Sequence, residues 1–364
     1  MKLTKLKTRR ALVAVTLAIV LAGSGTFYLS GAYDDWRGGR AIGAACEGVL
    51  APEDTLRVLG GKGRARSGAG DLSLLGDPAQ SLARCGITTS AGTAAVLFDV
   101  RWGGDADAAS LFPGRADLRG ATGSAAPLGG GWPGTITSAS GQSRVSIALQ
   151  CRNRHDESLL VSSVLSGGAG PGDRGERTAL ARATAQAAAN AADRFDCTAA
   201  PGGPITTTPA DPLTTSRPLS RADGTCAPVR SLAPAATRSG VPNAMESASQ
   251  PQAPLADCFL ATPDGRPGYG MSAVYGPYAK SLKMSGPADL RRTAGFSEDG
   301  NHAWATAQCP GSSERALFTL WRIFDTDDDA YPVRKPARDF EKNALTAFAE
   351  QSARQHGCSD LRLP

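Results

Sequence analysis

The chain has 364 residues, a length that suggests two or three domains, and 41% of them are apolar, which is enough for substantial cores. Its formal net charge of +5 comes from the basic residues among the first ten, because the later part of the chain has 34 acidic residues and equally many basic ones. The balanced part lacks the basic excess that a nucleic-acid-binding surface needs, so we expect no nucleic-acid partner.

The N-terminus carries the features of a membrane signal. Residues 1–10 are basic, and residues 11–30 contain no charge. An apolar stretch of about 20 residues is long enough to span a bilayer, and Phe27 and Tyr28 lie where interfacial aromatic residues belong. We therefore predict a cytoplasmic segment at 1–10, a transmembrane signal-anchor at 11–30, and everything later outside the cell membrane. The alternative is a signal peptide cleaved near residues 22–24, which would release a secreted protein.

An internal repeat sets the domain organisation. The eight cysteines form two sets of four in similar order, and the third cysteine of each set follows a glutamine, Gln150 or Gln308. Repeated spacing of this kind indicates a duplicated unit. We predict a spacer at 31–43, a first repeat at 44–198, a Pro/Thr-rich linker at 199–223 and a second repeat at 224–364.

The first repeat shows a short helix and a strand, followed by a hairpin and a long helix. Residues 52–59 begin with proline and acids, as a first helical turn does, and end at a glycine pair. Residues 94–102 form an apolar strand. Residues 144–151 and 158–165 alternate apolar and polar side chains around a turn, which predicts a hairpin. Residues 177–195 have a thin, alanine-rich apolar face suited to close packing on a sheet.

The second repeat closes in the same way. Residues 303–309 and 316–324 predict a second hairpin. In residues 337–355 the apolar side chains fall on one helical face, and Gly357 provides the helix stop. Each repeat is therefore expected to be an α+β domain, an antiparallel sheet with helices packed on it.

The cysteines predict disulfides. In an exported chain an even cysteine count implies a disulfide framework, and the chain has neither Cys-x-x-Cys spacing nor many histidines, so we expect no metal site, redox centre or cofactor. Four cysteines permit three pairings in each repeat. The order of elements favours joining the first to the second and the third to the fourth, each pair contributing about 3–4 kcal/mol. The expected bonds are Cys46–Cys85, Cys151–Cys197, Cys226–Cys258 and Cys309–Cys358.

No catalytic motif is present, so we assign no catalytic residue. His155 falls in the turn of the first hairpin, His302 precedes a strand, and His356 lies in the last turn of a helix. None has a nucleophile at a recognisable spacing. The acidic run 325–329 lacks the calcium-loop pattern and predicts a solvated turn, with weak cation binding as the alternative. A dispersed enzyme site near His155 or Asp327 is the competing interpretation.

Two further pairs of side chains carry expectations. Trp304 and Trp321 lie on the second hairpin, where packing against the closing helix is favoured over a sugar-stacking surface. Gln150 and Gln308 lie at strand ends, where an amide satisfies backbone groups. Specific recognition is then expected in the unshared segments 103–134 and 325–335. A small basic cluster in a glycine-rich loop, Lys62 with Arg64 and Arg66, is a minor candidate for contact with anionic lipid or wall polymer.

The cysteine environment of the first repeat resembles a known family. Residues 46–60, opening with Cys46-Glu-Gly-Val-Leu, and the stretch Arg84-Cys85-Gly-Ile are similar to actinobacterial exported DUF3558-like lipoproteins and to extracellular sensor domains of mycobacterial receptor kinases. The chain departs from that pattern in having no lipobox cysteine and no tryptophan two residues after Cys85. The resemblance implies an α+β, disulfide-bonded module exposed at the cell surface.

Together these features predict a non-catalytic, membrane-anchored extracytoplasmic protein. Its expected role is to bind or sense an envelope component or another envelope protein. The alternative is an extracytoplasmic enzyme whose active site is dispersed along the chain.

Overall fold

The structure, a computed structural model, describes residues 32–60, 65–68, 71–89, 92, 94–105, 111, 124–139, 142–155, 157–167, 173–326 and 328–364. The membrane anchor predicted at 11–30 lies outside these residues. Among the helices that are described, none combines the length and apolar character needed to cross a bilayer.

The first repeat is built on a seven-stranded antiparallel sheet in the order β1-β2-β3-β7-β6-β5-β4. The predicted strand at 94–102 and the predicted hairpin are the three central strands, β3, β7 and β6. The strands are β1 (Ala65–Ser67), β2 (Ser81–Thr89), β3 (Ala94–Trp102), β4 (Ser124–Pro127), β5 (Gly134–Ala139), β6 (Gln142–Gln150) and β7 (Ser158–Gly167).

Among the described residues, the helices that accompany this sheet include α1 (Ala32–Ala44), α2 (Pro52–Val58) and α3 (Arg174–Arg194). Helix α3 begins at Asp173, whose carboxylate accepts from the Glu176 backbone N–H, and its alanine-rich face is buried on the sheet as predicted. The spacer expected at 31–43 is instead largely helical. Because Ile42 is fully buried in the core of the first repeat, α1 belongs to the folded domain.

The second repeat has an eight-stranded antiparallel sheet in the order β12-β13-β14-β11-β10-β9-β8, and β15 also pairs with β13. Its helices are α4 (Ala233–Arg238), α5 (Gly276–Ser285) and α6 (Arg338–Gln355). The strands are β8 (Arg217–Pro218), β9 (Asn243–Glu246), β10 (Leu255–Ala261), β11 (Pro267–Val274), β12 (Gly295–Phe296), β13 (His302–Gln308), β14 (Ala316–Arg322) and β15 (Ser359–Arg362).

The two sheets share one topology. The strand series β1-β2-β3-β7-β6-β5 in the first sheet corresponds to β9-β10-β11-β14-β13-β12 in the second, where β8 adds one further strand outside β9. In both repeats the long closing helix, α3 or α6, follows the second strand of the hairpin and packs on one face of the sheet. The repeat read from the cysteines is therefore a repeat of structure, and both units are α+β with antiparallel sheets.

Four disulfides staple helical segments to the sheets. In each repeat one bond ties the turn that precedes α2 or α4 to the strand β2 or β10, and another ties the chain just after the closing helix to the end of the first hairpin strand. The bonds are Cys46–Cys85, Cys151–Cys197, Cys226–Cys258 and Cys309–Cys358, the pairs expected from the order of elements.

The sheet faces that the closing helices leave uncovered pack toward each other. Alternation along a strand sends successive side chains to opposite faces, so β7 presents Leu160 away from α3 and β14 presents Leu317 away from α6. Both side chains belong to one apolar cluster that spans the two repeats. Helix α5 contributes Tyr278 and Leu282 to the same cluster, so the repeats share a buried layer.

Polar contacts also cross this layer. The fully buried Asp257 on β10 accepts hydrogen bonds from the backbone N–H of Ala125 on β4, at 2.8 Å, and from Ser272 Oγ, at 2.7 Å. The Tyr278 hydroxyl on α5 donates to Ser146 Oγ on β6 at 2.6 Å, and burial raises its pKa. These bonds fix the relative position of the repeats because buried polar groups must find partners.

The segment expected as a linker lies against the first repeat. Trp132 Nε1 donates to the Gly203 carbonyl at 2.8 Å, and Arg182 on α3 donates to the carbonyls of Ile205 and Thr206 at 2.6 and 2.8 Å. Its first part, residues 199–211, has no helix or strand, as its composition predicts, but is held along α3 by side chains of the first repeat. Within the range expected as a linker, β8 (Arg217–Pro218) pairs with β9 of the second sheet.

Candidate ligand-binding cleft

A cleft of about 480 Å³ opens in the second repeat beside β12 and the free ends of β13 and β14. One wall is the 3₁₀ turn Ala288–Arg291, another is the turn that joins β12 to β13, and Tyr331 closes the third side. We call it the His302 cleft after the residue at its back. Its polar lining residues are Asp289, Arg292, Glu298, Asp299, Asn301, His302 and Arg322.

His302 ties the 3₁₀ turn to the sheet. Its Nε2 lies 3.1 and 3.0 Å from the two carboxylate oxygens of Asp289, so this nitrogen carries the proton. The ring stacks on Trp321 with centroids 4.2 Å apart, and the residue is only 7% exposed. Histidine and aspartate thus hold the wall of the cleft in place.

A second polar chain runs along the opposite side. Asp299 accepts from the backbone N–H of Asn301 at 3.0 Å and from its Nδ2 at 2.8 Å, and Asn301 Oδ1 accepts from Arg322 Nη1 at 3.2 Å. Hydrogen bonds from Ser297 and Asn301 lower the pKa of Asp299 to about 2, so this carboxylate is ionised under all ordinary conditions.

Arg322 is fixed at both ends of its guanidinium. Besides Asn301 it donates from Nη2 to the Val333 carbonyl at 2.9 Å, and its Cζ lies 4.4 Å from the centre of the Tyr331 ring. A guanidinium over an aromatic face is attracted by the ring quadrupole. The network is therefore rigid before any ligand arrives.

Two exposed side chains at the mouth differ from this network. The guanidinium of Arg292 and the carboxylate of Glu298 make no hydrogen bond or ion pair with the described part of the chain. Both residues line the cleft. They leave one donor group and one acceptor group ready to meet a ligand.

The orientation of the tryptophans corrects a prediction. Trp304 and Trp321 were expected to pack against the closing helix, but both lie on the opposite face of the sheet, in the layer shared by the repeats. The face toward α6 is filled by Ala303 and Ala305 of β13 and Phe318 of β14, which alternate with them. Trp321 thereby reaches the His302 cleft.

Within the described residues, the side chains of the cleft place no nucleophile beside the ring of His302. The ring of His302 hydrogen-bonds to Asp289 alone among described side chains, and Ser297 Oγ contacts the His302 backbone and not its ring. In the described ranges no group of three His, Cys, Asp or Glu side chains is arranged to hold a metal ion. What the residues present is a set of fixed hydrogen-bond donors and acceptors next to aromatic rings.

The other histidines lie elsewhere. His155 is exposed in the first hairpin turn, as predicted. His356, after α6, stacks on Tyr275 with centroids 3.6 Å apart, and burial lowers its pKa to about 4. The structure therefore does not bring the three histidines together.

The acidic run 325–329 already lies next to a positively charged side chain, that of Arg266. Arg266 pairs with Asp264 at 2.7 Å and lies 3.8 Å from Asp325, and it also contacts Asp328. Asp327, a candidate for the alternative enzyme site, lies outside the described residues, as do Lys62, Arg64 and most of the segment 103–134.

The two equivalent glutamines have the scaffold role that their position predicts. Gln150 Nε2 donates to the Glu157 carbonyl at 3.0 Å, and Gln308 Nε2 donates to the Ser312 carbonyl at 2.6 Å. Each amide closes the turn of its own hairpin. This prediction is confirmed in both repeats.

Sequence reasoning missed most of the cleft. Asp289 and Arg322 carried no local signal, whereas His302, Trp321 and the segment 325–335, whose Tyr331 lines the cleft, were singled out. The run from Asp299 to Asn301 is the one hint, since an Asp-Gly-Asn turn before a strand predicts a fixed carboxylate. Comparison with family models, curated proteins and solved structures finds no match for the chain.

Proposed function

We propose that this chain is a non-catalytic, extracytoplasmic protein that binds or senses an envelope component or an envelope partner through the His302 cleft. Residues 11–30 would anchor it in the cell membrane, with cleavage and secretion as the alternative. Four disulfides support an oxidising compartment for the described domains, because such bonds do not persist in a reducing cytosol. The resemblance to exported lipoproteins and receptor-kinase sensor domains supports a surface-exposed role.

The observation that carries the proposal is the contrast within the cleft. Asp289, Asp299 and Arg322 are locked by protein partners, whereas the charged groups of Arg292 and Glu298 at the mouth have no partner among the described residues. Pockets that bind small molecules are usually preformed and carry a few convergent polar groups of this kind. A catalytic site would need a nucleophile or an activated water next to the base.

Capture from the envelope tests the cleft. The full chain is solubilised in detergent, immobilised and incubated with an envelope extract of the organism that produces it. The material that it binds is compared with the material bound by Arg292→Ala and Glu298→Ala. Arg334→Ala is the matched control, since Arg334 is exposed nearby but does not line the cleft. We expect the two cleft variants to lose at least about 80% of the specific material, as removal of a charged hydrogen bond costs about 1.5–3 kcal/mol. Equal capture by all variants would refute the cleft as the binding site.

Topology is tested separately. A reporter active only outside the cytoplasm, fused after Pro364, should be active, and a cytoplasmic reporter should be inactive. The opposite pattern would refute export. A purified N-terminus at Gly25 or later would replace the anchor by a cleaved signal peptide.

A further inference from the structure

We infer that the ligand of the His302 cleft is a neutral saccharide. This inference rests on the proposed function, because it assigns a chemical class to the same site. The polar side chains around the cleft are nearly all planar and bidentate: carboxylates, one amide and guanidiniums. Such groups can meet two neighbouring hydroxyls at once, and each hydroxyl can both donate and accept. A ligand with many adjacent hydroxyls matches a lining that mixes acceptors and donors.

The charges of the lining argue against an anion. Three carboxylates, Asp289, Glu298 and Asp299, face two guanidiniums, Arg292 and Arg322. The low pKa of Asp299 keeps its charge in place. A phosphate or a uronic acid would meet a net negative charge on the lining, and like charges at short range repel. A neutral ligand avoids this cost and can still form hydrogen bonds with Arg292 and Glu298 at the mouth of the cleft.

The aromatic residues fit the apolar side of a sugar ring. Phe296 and Tyr331 are half-buried at the cleft, and Trp321 lies behind them. Two of the rings are held by guanidiniums, Arg338 at 4.3 Å from the Phe296 centroid and Arg322 at 4.4 Å from that of Tyr331. The negative face of an aromatic ring attracts the positively polarised C–H groups of a pyranose. Aromatic rings and planar polar groups thus lie side by side in the cleft, which matches the C–H face and the hydroxyl groups of a sugar ring.

Size and backbone geometry favour a saccharide over a peptide. The volume of about 480 Å³ lies in the range of small-molecule sites, roughly 300–1,000 Å³. An extended peptide would normally be held by a free strand edge. The strand next to the cleft, β12, has only two residues, Gly295 and Phe296, and they pair with β13. A peptide would find little backbone to bind.

The test measures direct binding of defined sugars to the full chain, kept in a detergent without a sugar headgroup. Glucose, maltose, galactose and the N-acetylglucosamine disaccharide are compared with glucuronic acid, inorganic phosphate and a tri-alanine peptide by calorimetry and saturation-transfer NMR. At least one neutral sugar should bind, and glucuronic acid should bind at least about tenfold more weakly than glucose. Tyr331→Ala, Arg292→Gln and Glu298→Gln should each weaken sugar binding at least tenfold, whereas Arg334→Ala should not change it.

The binding results differ according to whether the ligand class or the binding site has been assigned wrongly. Preference for glucuronic acid, phosphate or the peptide, or binding of no neutral sugar, would overturn the inference. If envelope capture still depended on Arg292 and Glu298, the proposed function would stand with another ligand class. Sugar binding that is unaffected by all cleft variants would overturn both.

Discussion

Tyr278 offers the sharpest test of the layer between the repeats. Its ring is fully buried among apolar residues of both repeats, and its hydroxyl donates to Ser146 of the first. Truncation of a buried aromatic side chain to alanine costs about 3–5 kcal/mol, and loss of the hydrogen bond alone costs about 1 kcal/mol. We therefore expect Tyr278→Ala to lower the free energy of unfolding by about 3–5 kcal/mol and Tyr278→Phe by about 1 kcal/mol.

Calorimetry of the full chain measures this loss and shows which parts unfold together. An unfolding entropy of about 2.1 cal/mol/K per residue gives roughly 1.5 °C per kcal/mol for a cooperative unit of more than about 300 residues, so Tm should fall by about 4–7 °C in Tyr278→Ala. Met284→Ala is the control on the same helix, because Met284 is 66% exposed and should change stability by less than about 0.5 kcal/mol. A loss below about 1 kcal/mol in Tyr278→Ala, or two transitions of which only one shifts, would refute the shared layer.

Three further outcomes follow from contacts described above. Gln150→Ala and Gln308→Ala should each lower stability by about 1 kcal/mol in urea denaturation and leave ligand capture unchanged; an unaltered midpoint with lost capture would assign these amides to binding. His356 has a folded pKa of about 4, below its unfolded value of 6.5, so the unfolded chain binds more protons between these values and stability should fall as pH drops from 7.5 to 5. His356→Phe should remove up to about 2 kcal/mol of that loss, and an identical pH profile for both proteins would contradict the buried neutral ring. Limited proteolysis between residues 199 and 221 should be slow, and the cut fragments should stay together on gel filtration under native conditions, whereas prompt separation would show that the repeats fold independently.

Local signals in the sequence predicted the elements that depend on local rules. Strand alternation and turn residues located both hairpins, helical periodicity located α3 and α6, and the cysteine order located all four disulfides. Helix α5 was missed because its apolar residues, chiefly Tyr278 and Leu282, are too few to establish a period over ten residues. Alternation along a strand shows which side chains share a face of the sheet, but it does not show what covers that face. For this reason Trp304 was wrongly predicted to lie on the face that packs against the closing helix.

The cleft was less predictable than the fold because it is assembled from distant segments. His302 meets Asp289 only after the 3₁₀ turn folds back on β13, and Arg322 meets Tyr331 only after the chain leaves β14. Neither pair has a characteristic short spacing in the sequence, so its residues cannot be told apart from ordinary charged surface residues. Contacts of this type depend on strand register and loop path, which single-sequence patterns do not specify.

Because the two sheets that pack together belong to one chain, their packing does not depend on the concentration of the protein. If each repeat were a separate chain, the faces around Leu160 and Leu317 would be covered only when two molecules met, so the covered fraction would vary with expression. On one chain the faces are tethered to each other, and the effective concentration of one at the other is set by the connecting segment, on the order of millimolar for short linkers. A solitary molecule therefore keeps both faces away from water, and dilution does not expose them.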